Sequence, residues 1–431
     1  MFHFGYTILN YWPQLVAPNE QAKAPAPQWQ DGSVRGGLTS FVVGIALVTL
    51  AAGQTGLSRE AAYRRARELA SLGRKLFFDA GLSESGKLSC ASCHDPHFAY
   101  GPPNAQAVQA GGHRAVPSLK YLQVVPPFTE HYFDAELTGD DSVDAGPTGG
   151  LTWDGRVDRG RDQARIPLLS PFEMANESPA DVVARALRAS YSAELVRLAG
   201  RTDAVFATIL EALETWQQDY REFYPYSSKY DAWLAGKAQL TDAEARGLAA
   251  FQDPQKGNCA SCHPSERGVS GTPPQFTDYA LVALGVPRSR EIAANDDAKW
   301  FDLGLCGPDR TDLKAKSEYC GRFRTPTLRN VALRQVFFHN GVVHSLKDAV
   351  AFYAQRDSEP ERWYPRDAAG AVKKFDDLPE EFRKNVEAGA PFGKSGQAKA
   401  PTPQGALTDG EVADIVAFLK TLTDGYRLQS H

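Results

Sequence analysis

Two copies of one short motif, Cys-x-x-Cys-His, constrain what this chain can fold into more than any other feature of its sequence. They span residues 90–94 and 259–263 and contain four of the six cysteines. In this spacing two thiols can bond to the vinyl groups of one haem, and the adjoining histidine can ligate its iron. We therefore expect two covalently bound haem c groups. The thiols belong to Cys90, Cys93, Cys259 and Cys262, and the axial ligands are His94 and His263.

Other sites built on a Cys-x-x-Cys pair fit this pattern less well. A thioredoxin-like redox pair belongs in a βαβ unit, and neither motif has one around it. A single zinc site would have to join two motifs that lie far apart in the sequence, and it would leave one histidine unused. The histidine that directly follows both pairs favours haem attachment.

Residues 1–56 are predicted to be a leader segment. Residues 41–52, FVVGIALVTLAA, form an apolar run too short to span a bilayer comfortably. Small residues at its end are typical of a signal peptidase site near Ala52 or Gly53, and an uncleaved N-terminal anchor is the alternative. Either arrangement exports the globular part to the periplasm. Cys306 and Cys320 would then lie in an oxidising compartment and are candidates for a disulfide.

Helical patterns surround both motifs. Before the first motif, apolar residues recur at helical spacing at Leu69, Leu72, Leu76 and Phe77. A capping-box pattern, Thr-x-x-Glu, stands at 241–244 before the second motif and again at 408–411, each time ahead of an apolar stripe. A helix, a haem motif and a C-terminal helix that packs on the first describe a small cytochrome c module.

The predicted fold is therefore mainly α, with two cytochrome c-like haem domains over residues 57–235 and 236–431. Strand patterns are few, and 37 glycines and 28 prolines indicate long ordered loops around the haems. The net charge of -5 gives no reason to expect nucleic acid as a partner. Oligomeric state leaves no pattern in the sequence.

Several further motifs make the chain resemble a known family over residues 68–425. They are LGRKLFFD before the first haem motif, WDGR at 153–156, FEM at 172–174, PTLRN at 326–330 and FFHNG at 337–341. Together with the two haem motifs, they resemble the bacterial di-haem cytochrome c peroxidases and the related MauG. The resemblance implies a peroxidatic first haem with an open distal side and a second, electron-transfer haem with both axial positions filled.

The resemblance also implies roles for four side chains. Trp153 matches the tryptophan that lies between the two haems. Glu173 matches the distal carboxylate, and Gln163 and Pro167 match residues that line the same pocket. A partly buried carboxylate with a raised pKa can take a proton from bound peroxide and return it to the leaving oxygen. Without the family pattern, Glu173 would be read as a surface glutamate and Trp153 as a core residue.

The sixth ligand of the second haem is a methionine in many of these peroxidases, but this chain has only two methionines. Met1 belongs to the leader and Met174 lies beside the expected peroxidatic pocket. Tyr353 stands at the family's ligand position, as in MauG, and a tyrosinate ligand would favour higher oxidation states of iron. The alternative is that Tyr353 is a core residue and that His339 or His344 is the ligand.

Two departures from the family concern calcium and gating. A calcium ion is common between the domains of family members, but Ala115 replaces the asparagine that helps to hold it. Arg334 and Val336 stand where carbonyl ligands are usual, and we expect that calcium is absent and that the Arg334 guanidinium replaces it. A loop histidine blocks the peroxidatic haem in ordinary members. His113 is the nearest candidate here, and we expect it instead to be a solvent-exposed loop residue.

Three functions are compatible with these patterns. The first is a peroxidase that reduces hydrogen peroxide to water through high-valent Fe(IV) haems, with electrons from a small cytochrome c or cupredoxin entering through the second haem. The second is a MauG-like enzyme that uses peroxide-derived bis-Fe(IV) equivalents to oxidise a specific partner protein. The third is a non-catalytic di-haem electron carrier. The last has no use for the polar side chains of the distal pocket.

Overall fold

A computed structural model describes residues 58–109, 111–134, 140, 142–268, 270–389 and 407–428. The apolar run at 41–52 and its expected cleavage site lie outside these residues. The helices are α1 Arg59–Phe77, α2 Cys90–Cys93, α3 Gly160–Leu169, α4 Pro179–Ala186, α5 Ser192–Ala199, α6 Val205–Trp216, α7 Tyr220–Phe223, α8 Lys229–Leu234, α9 Asp242–Gln252, α10 Leu346–Gln355, α11 Pro360–Trp363 and α12 Asp409–Lys420. Two short strands, β1 Leu281–Val282 and β2 Phe323–Arg324, pair antiparallel. The prediction of a mainly α fold is confirmed.

The first core forms where α1 crosses α6. Its predicted apolar positions, Leu69, Leu72, Leu76 and Phe77, are all buried. The helices approach closely at Gly73, where an added Cβ would lie 1.9 Å from the Ala212 carbonyl oxygen and 2.9 Å from Trp216 Cβ. Only glycine therefore fits at this crossing.

The second core repeats this arrangement where α9 crosses α12. A Cβ added at Gly247 would lie 1.9 Å from the Asp414 carbonyl oxygen and 2.9 Å from Phe418 Cβ. Both helices begin with the predicted capping boxes, since the threonine accepts from the glutamate backbone and the glutamate side chain accepts from the threonine backbone. The two halves are thus built on the same helix crossing, each next to one haem motif.

The two cores are separate clusters of apolar side chains, and the chain passes from one to the other between Phe223 and Tyr230. The division near residue 235 stays a prediction. Long segments without helix connect the elements, including most of residues 264–345. Among the described helices, none combines the length and apolar composition needed to cross a membrane.

Candidate functional site: two haem-binding motifs and the pockets beside them

The first motif begins as the short helix α2 and ends at His94. The imidazole Nδ1–H of His94 donates to the Tyr100 carbonyl at 2.9 Å, which leaves Nε2 with a free lone pair for a metal. Ala99 and Tyr100 adopt left-handed backbone angles, φ 55° and 56°, and this turn aims the carbonyl back at the ring. Burial lowers the pKa of His94 to about 4. The ring is therefore neutral, as a metal ligand must be.

The second motif repeats this geometry in the other half of the chain. The Nδ1–H of His263 donates to the Phe276 carbonyl at 2.8 Å, and Phe276 also has a left-handed φ of 54°. Burial lowers the pKa of His263 to about 4 as well. Each histidine is thus held by a backbone carbonyl from the loop that follows its motif.

The four motif cysteines are unpaired, and their environment suits thioether attachment better than thiolate chemistry. Burial raises the pKa of Cys90, Cys259 and Cys262 to about 12 and that of Cys93 to about 11. A redox-active or zinc-binding pair instead needs surroundings that stabilise the thiolate. In the described part of the chain, no cluster of three or more His, Cys, Asp or Glu is arranged to hold a metal ion. The observed residues therefore fit covalently attached haem.

A cavity of about 490 Å³ surrounds the second motif. Its walls include Cys259, Cys262, His263 and, from α10, Tyr353. Burial raises the pKa of Tyr353, and the nearby Cys262 and Cys259 thiols raise it further. Without a compensating cation the phenol is therefore neutral. A metal that faces it would favour its deprotonation.

The two histidines considered as alternatives to Tyr353 have other partners. The His339 ring stacks on Phe323, with centroids 3.5 Å apart and planes within 9°, and its Nε2 lies 3.5 Å from an Asp377 oxygen. The His344 side chain is on the surface, where Nε2 lies 2.7 Å from Glu291 Oε1. His339 does line the cavity, whereas His344 does not.

The three predicted peroxidatic residues lie on α3 and in the turn that follows it. Gln163 and Pro167 are four residues apart on α3, so they project from the same face. The helix ends at Leu169, and a turn held by Met174 N–H to the Pro167 carbonyl at 3.0 Å brings Glu173 back beside this end. The turn therefore places Glu173 next to the end of the helix that carries Gln163 and Pro167.

The Glu173 carboxylate is electrostatically coupled to this site. Glu173 is exposed, whereas a partly buried carboxylate was expected, but the protein around the carboxylate removes enough water from it to raise its pKa. Glu173 in turn raises the pKa of the Cys90 and Cys93 thiols, an effect secondary to their burial. The carboxylate therefore lies within electrostatic reach of the first motif, and its pKa lies above the ordinary glutamate value.

Trp153 is fixed between the two halves. Its indole Nε1–H donates to the Ala115 carbonyl at 2.7 Å, and its own carbonyl accepts from Arg324 N–H at 2.8 Å. The tryptophan is buried and lines the cavity of the second motif. Ala115 N–H also donates to the His339 carbonyl at 2.6 Å. Ala115 therefore links the tryptophan to the loop that follows the PTLRN motif.

A buried ionic cluster next to Trp153 has no local signal in the sequence. Arg114 donates to both Asp302 oxygens at 2.6 and 2.7 Å and to Asp154 at 2.6 Å. Arg156 also pairs with Asp154 at 2.7 Å, and its Nη1 lies 3.2 Å from Asp309. Asp154 and Arg156 belong to the WDGR motif, but the other partners come from separate loops. Their pairing holds the motif in place.

His113 contradicts our expectation of a solvent-exposed loop residue. Its side chain is 22% exposed, and Nε2 lies 3.3 Å from Asp309 and 4.0 Å from Asp302. Its ring also meets Trp300 edge to face at 5.3 Å. Two aspartates and an indole thus draw the side chain inward.

Among the residues that the structure describes, the Arg334 guanidinium contacts backbone carbonyls and not carboxylates. Its guanidinium donates to the Val336 carbonyl from Nε and to the Val116 carbonyl from both Nη atoms, each at 3.2 Å. None of the ion pairs of the described residues involves Arg334, and burial lowers its pKa to about 10. Backbone carbonyls are the usual partners of calcium, so this guanidinium contacts the kind of oxygen that would hold the ion.

Cys306 and Cys320 form a disulfide with their Cα atoms 5.0 Å apart. The bridge closes a loop that contains the arginine-binding Asp309 and lies close to Asp302. The two half-cystines are buried.

Comparisons with known proteins agree with these features. A family model for di-haem cytochrome c peroxidase matches residues 67–239. The methylamine utilization protein MauG of Paracoccus denitrificans is 33% identical over 380 residues, which cover 83% of this chain and 88% of that protein. The cytochrome c551 peroxidase of Nitrosomonas europaea is 25% identical over 357 residues, 83% of this chain and 80% of that one.

A solved structure shows the same relation. The crystal structure of the diheme peroxidase BthA from Burkholderia thailandensis superposes with a TM-score of 0.71 at 40% sequence identity. The match covers 83% of this chain and 86% of that one. Both haem motifs lie within the part of the chain that forms the two cores.

Proposed function

This chain belongs to the family of di-haem cytochrome c peroxidases and MauG, and it is an enzyme that acts on hydrogen peroxide; on this basis we propose that it reduces peroxide to water at the first haem site. When bound, the haems supply the redox chemistry. The protein must bind the peroxide, move its protons and connect the two sites.

Glu173 is the proposed proton carrier at the first site. A carboxyl group with a raised pKa can accept a proton from peroxide and return it to the departing oxygen at a pH near neutrality. Gln163 offers an amide that can orient the peroxide, while Pro167 keeps one wall apolar. Gln163 and Pro167 share one face of α3, and the turn after this helix carries Glu173, so the local fold supports this assignment.

The proposal for the second site rests on the position of Tyr353. It shares a cavity with Cys259, Cys262 and His263, whereas His344 is bonded at the surface and the His339 ring is stacked on another side chain. We infer that Tyr353 would be the second protein ligand of the haem iron at this site. A tyrosinate stabilises oxidised iron, so the second site would share an oxidising equivalent rather than store an electron beforehand. Trp153 is the proposed connection between the sites.

The same assignment favours a second candidate, oxidation of a specific partner protein. Its support is the tyrosine in the second cavity together with 33% identity to a MauG. In this version, electrons are drawn from a protein substrate instead of a small cytochrome c or cupredoxin. A non-catalytic carrier has less support because it has no use for Glu173, Gln163 and Pro167.

We also propose that Arg334 replaces a calcium ion and that the protein is exported to the periplasm. The carbonyl contacts of Arg334 support the first statement. The disulfide and the covalent haem motifs support the second, since both are typical of exported proteins. Osmotic-shock fractionation of the native host, with N-terminal sequencing, tests the export and locates the start of the mature chain.

The experiment is one equivalent of hydrogen peroxide added to the fully oxidised protein, with no prior reduction. We expect peroxide consumption and a near-infrared band that reports charge shared between the sites. Tyr353→Phe should lose the band. Tyr364→Phe is the matched control, because it removes a hydroxyl from the same apolar cluster, on a side chain that does not line the cavity. A wild-type protein that reacts only after reduction would contradict the Tyr353 assignment.

Turnover with two kinds of donor separates the candidates. Steady consumption of peroxide with a reduced small cytochrome c supports the peroxidase. Negligible turnover with such donors, together with peroxide-dependent modification of one co-purifying protein, supports the partner-oxidising enzyme.

A further inference from the structure

Tyr100 connects the first haem motif to the protein interior on the histidine side. Its backbone carbonyl accepts the hydrogen bond from His94 Nδ1 at 2.9 Å, so one hydrogen bond separates the residue from the axial ligand. Tyr100 as a whole is 2% exposed. The roles proposed above use Glu173, Gln163, Pro167 and Trp153, and they do not involve Tyr100.

The Tyr100 phenol faces a base. Its hydroxyl donates to Glu222 Oε1 at 2.5 Å, and Glu222 lies in the short helix α7, where it is exposed. A phenol that loses an electron becomes a strong acid, so its proton needs an acceptor within hydrogen-bond distance. Glu222 is such an acceptor, and its exposure lets the proton exchange with water.

Aromatic rings lead from Tyr100 to the surface. The Tyr100 ring is 5.9 Å from that of Trp216 and 4.8 Å from that of Phe223, measured between centroids. Trp216 is in turn 5.9 Å from Phe78, which is 42% exposed. Arg74 lies over the outer ring at 5.4 Å. This series of rings joins the neighbourhood of His94 to the outside of the first domain.

We propose that Tyr100 is a redox-active side chain that supplies one electron to peroxide reduction while its phenolic proton passes to Glu222. Reduction of hydrogen peroxide to two waters consumes two electrons and two protons. Tyr100 gives one of the electrons, its O–H bond breaks, and an O–H bond forms on Glu222. The haems, when bound, would supply the second electron, and solvent supplies the two protons that peroxide takes up. The products are a neutral Tyr100 phenoxyl radical and a protonated Glu222. Trp216 then allows an electron from a donor at the surface to restore the tyrosine.

This inference rests on the proposed peroxide reduction, and the test measures both. The holoprotein receives one equivalent of hydrogen peroxide without a donor and is frozen for electron paramagnetic resonance. Ring-deuterated tyrosine identifies a tyrosyl signal, because deuteration narrows its hyperfine structure and leaves a tryptophanyl signal unchanged. Residual peroxide is assayed in the same samples.

Two variants and one control assign the radical. Tyr100→Phe should abolish the tyrosyl signal while peroxide is still consumed. Glu222→Gln should lower its yield, because an amide oxygen accepts the hydrogen bond but does not take the proton. Tyr191→Phe is the control: Tyr191 also donates to a carboxylate, Asp79, at 2.5 Å, but no described aromatic ring contacts it. That variant should keep the full signal.

Each result decides the proposal. A tyrosyl signal that survives Tyr100→Phe, or that is lost in Tyr191→Phe, overturns it. Peroxide consumption without any tyrosyl signal in the wild-type protein overturns this inference alone, and no peroxide consumption overturns it together with the proposed function. Haem content, measured for each variant, shows whether Tyr100→Phe has folded; if it has not, Glu222→Gln, altered only at an exposed position, gives the decision.

Discussion

Substitution of Gly247 by alanine tests how closely α9 and α12 approach each other at their crossing. The added Cβ would lie 1.9 Å from the Asp414 carbonyl oxygen, while real Cβ atoms essentially never come within 3.0 Å of another heavy atom. The Asp414 carbonyl belongs to the backbone, so it cannot move away through a side-chain rotation. The two helices would have to separate by more than about 1 Å, which loosens close packing around Phe251 and Phe418.

Two effects of this substitution have opposite signs. Helix propensity alone makes alanine more favourable than glycine by about 0.8–1.0 kcal/mol inside a helix. Overpacking costs about 1–3 kcal/mol and sometimes more. Because a backbone carbonyl blocks the new methyl group, we expect overpacking to cost about 3 kcal/mol or more. After the gain in helix propensity is subtracted, the free energy of unfolding should fall by about 2 kcal/mol. The sign of the change therefore reports the packing.

Guanidinium unfolding followed by circular dichroism is the measurement, with Gly410→Ala as the control. Gly410 lies in α12, and the nearest atom that a Cβ added there would meet is Thr408 Oγ1, 3.9 Å away. We expect this variant to be unchanged or up to about 1 kcal/mol more stable. If Gly247→Ala is as stable as Gly410→Ala, the two helices do not meet as described. Gly73→Ala, blocked in the same way in the first core, should behave like Gly247→Ala.

Three further outcomes are expected. Burial raises the pKa of Glu173, so the carboxylate should become protonated, and peroxide turnover should fall, at a pH above the ordinary glutamate pKa of about 4.3. Glu173→Gln should remove this fall at low pH from the pH–rate profile and slow turnover by about 10²–10⁴-fold. Chelation of calcium should leave the melting temperature and activity of the wild-type protein unchanged. Arg334→Met should destabilise the protein by about 1–3 kcal/mol, because two carbonyls in partly buried hydrogen bonds lose their donor. An activity lost on chelation and restored by calcium would refute the replacement. Replacing Cys306 and Cys320 by serine should lower the free energy of unfolding by about 3 kcal/mol, as expected for a loop of this size, measured by guanidinium unfolding. An unchanged midpoint would show that the bridge does not constrain the unfolded chain.

Several features were predictable from the sequence because they depend on residues close together in the chain. The Cys-x-x-Cys-His motifs specify their cofactor through spacing alone. The capping boxes at Thr241 and Thr408 and the buried face of α1 follow from helical periodicity, and the structure has them where they were predicted. The pairing of Cys306 with Cys320 needed only the remaining two cysteines and an oxidising compartment.

Other features depend on loops that meet only after folding. The choice among Tyr353, His339 and His344 was open in the sequence. Tertiary contacts place both Tyr353 and His339 on the wall of the cavity and bond His344 to Glu291 at the surface. His113 was wrongly expected to be exposed because the aspartates that draw it inward, at positions 302 and 309, lie in a distant part of the sequence. No local pattern encodes such partners.

The haem-motif histidines show the same difference between sequence and tertiary structure. Their positions follow from the sequence, whereas the orientation of their rings depends on the fold. The sequence by itself determined that His94 and His263 follow their cysteine pairs, since this requires only adjacency. The tertiary structure decided their orientation through the carbonyls of Tyr100 and Phe276, and it decided that Arg334 meets carbonyls rather than carboxylates. Covalent order fixes which groups are available, but directional hydrogen bonds and burial, set by the packed loops, fix what those groups can do.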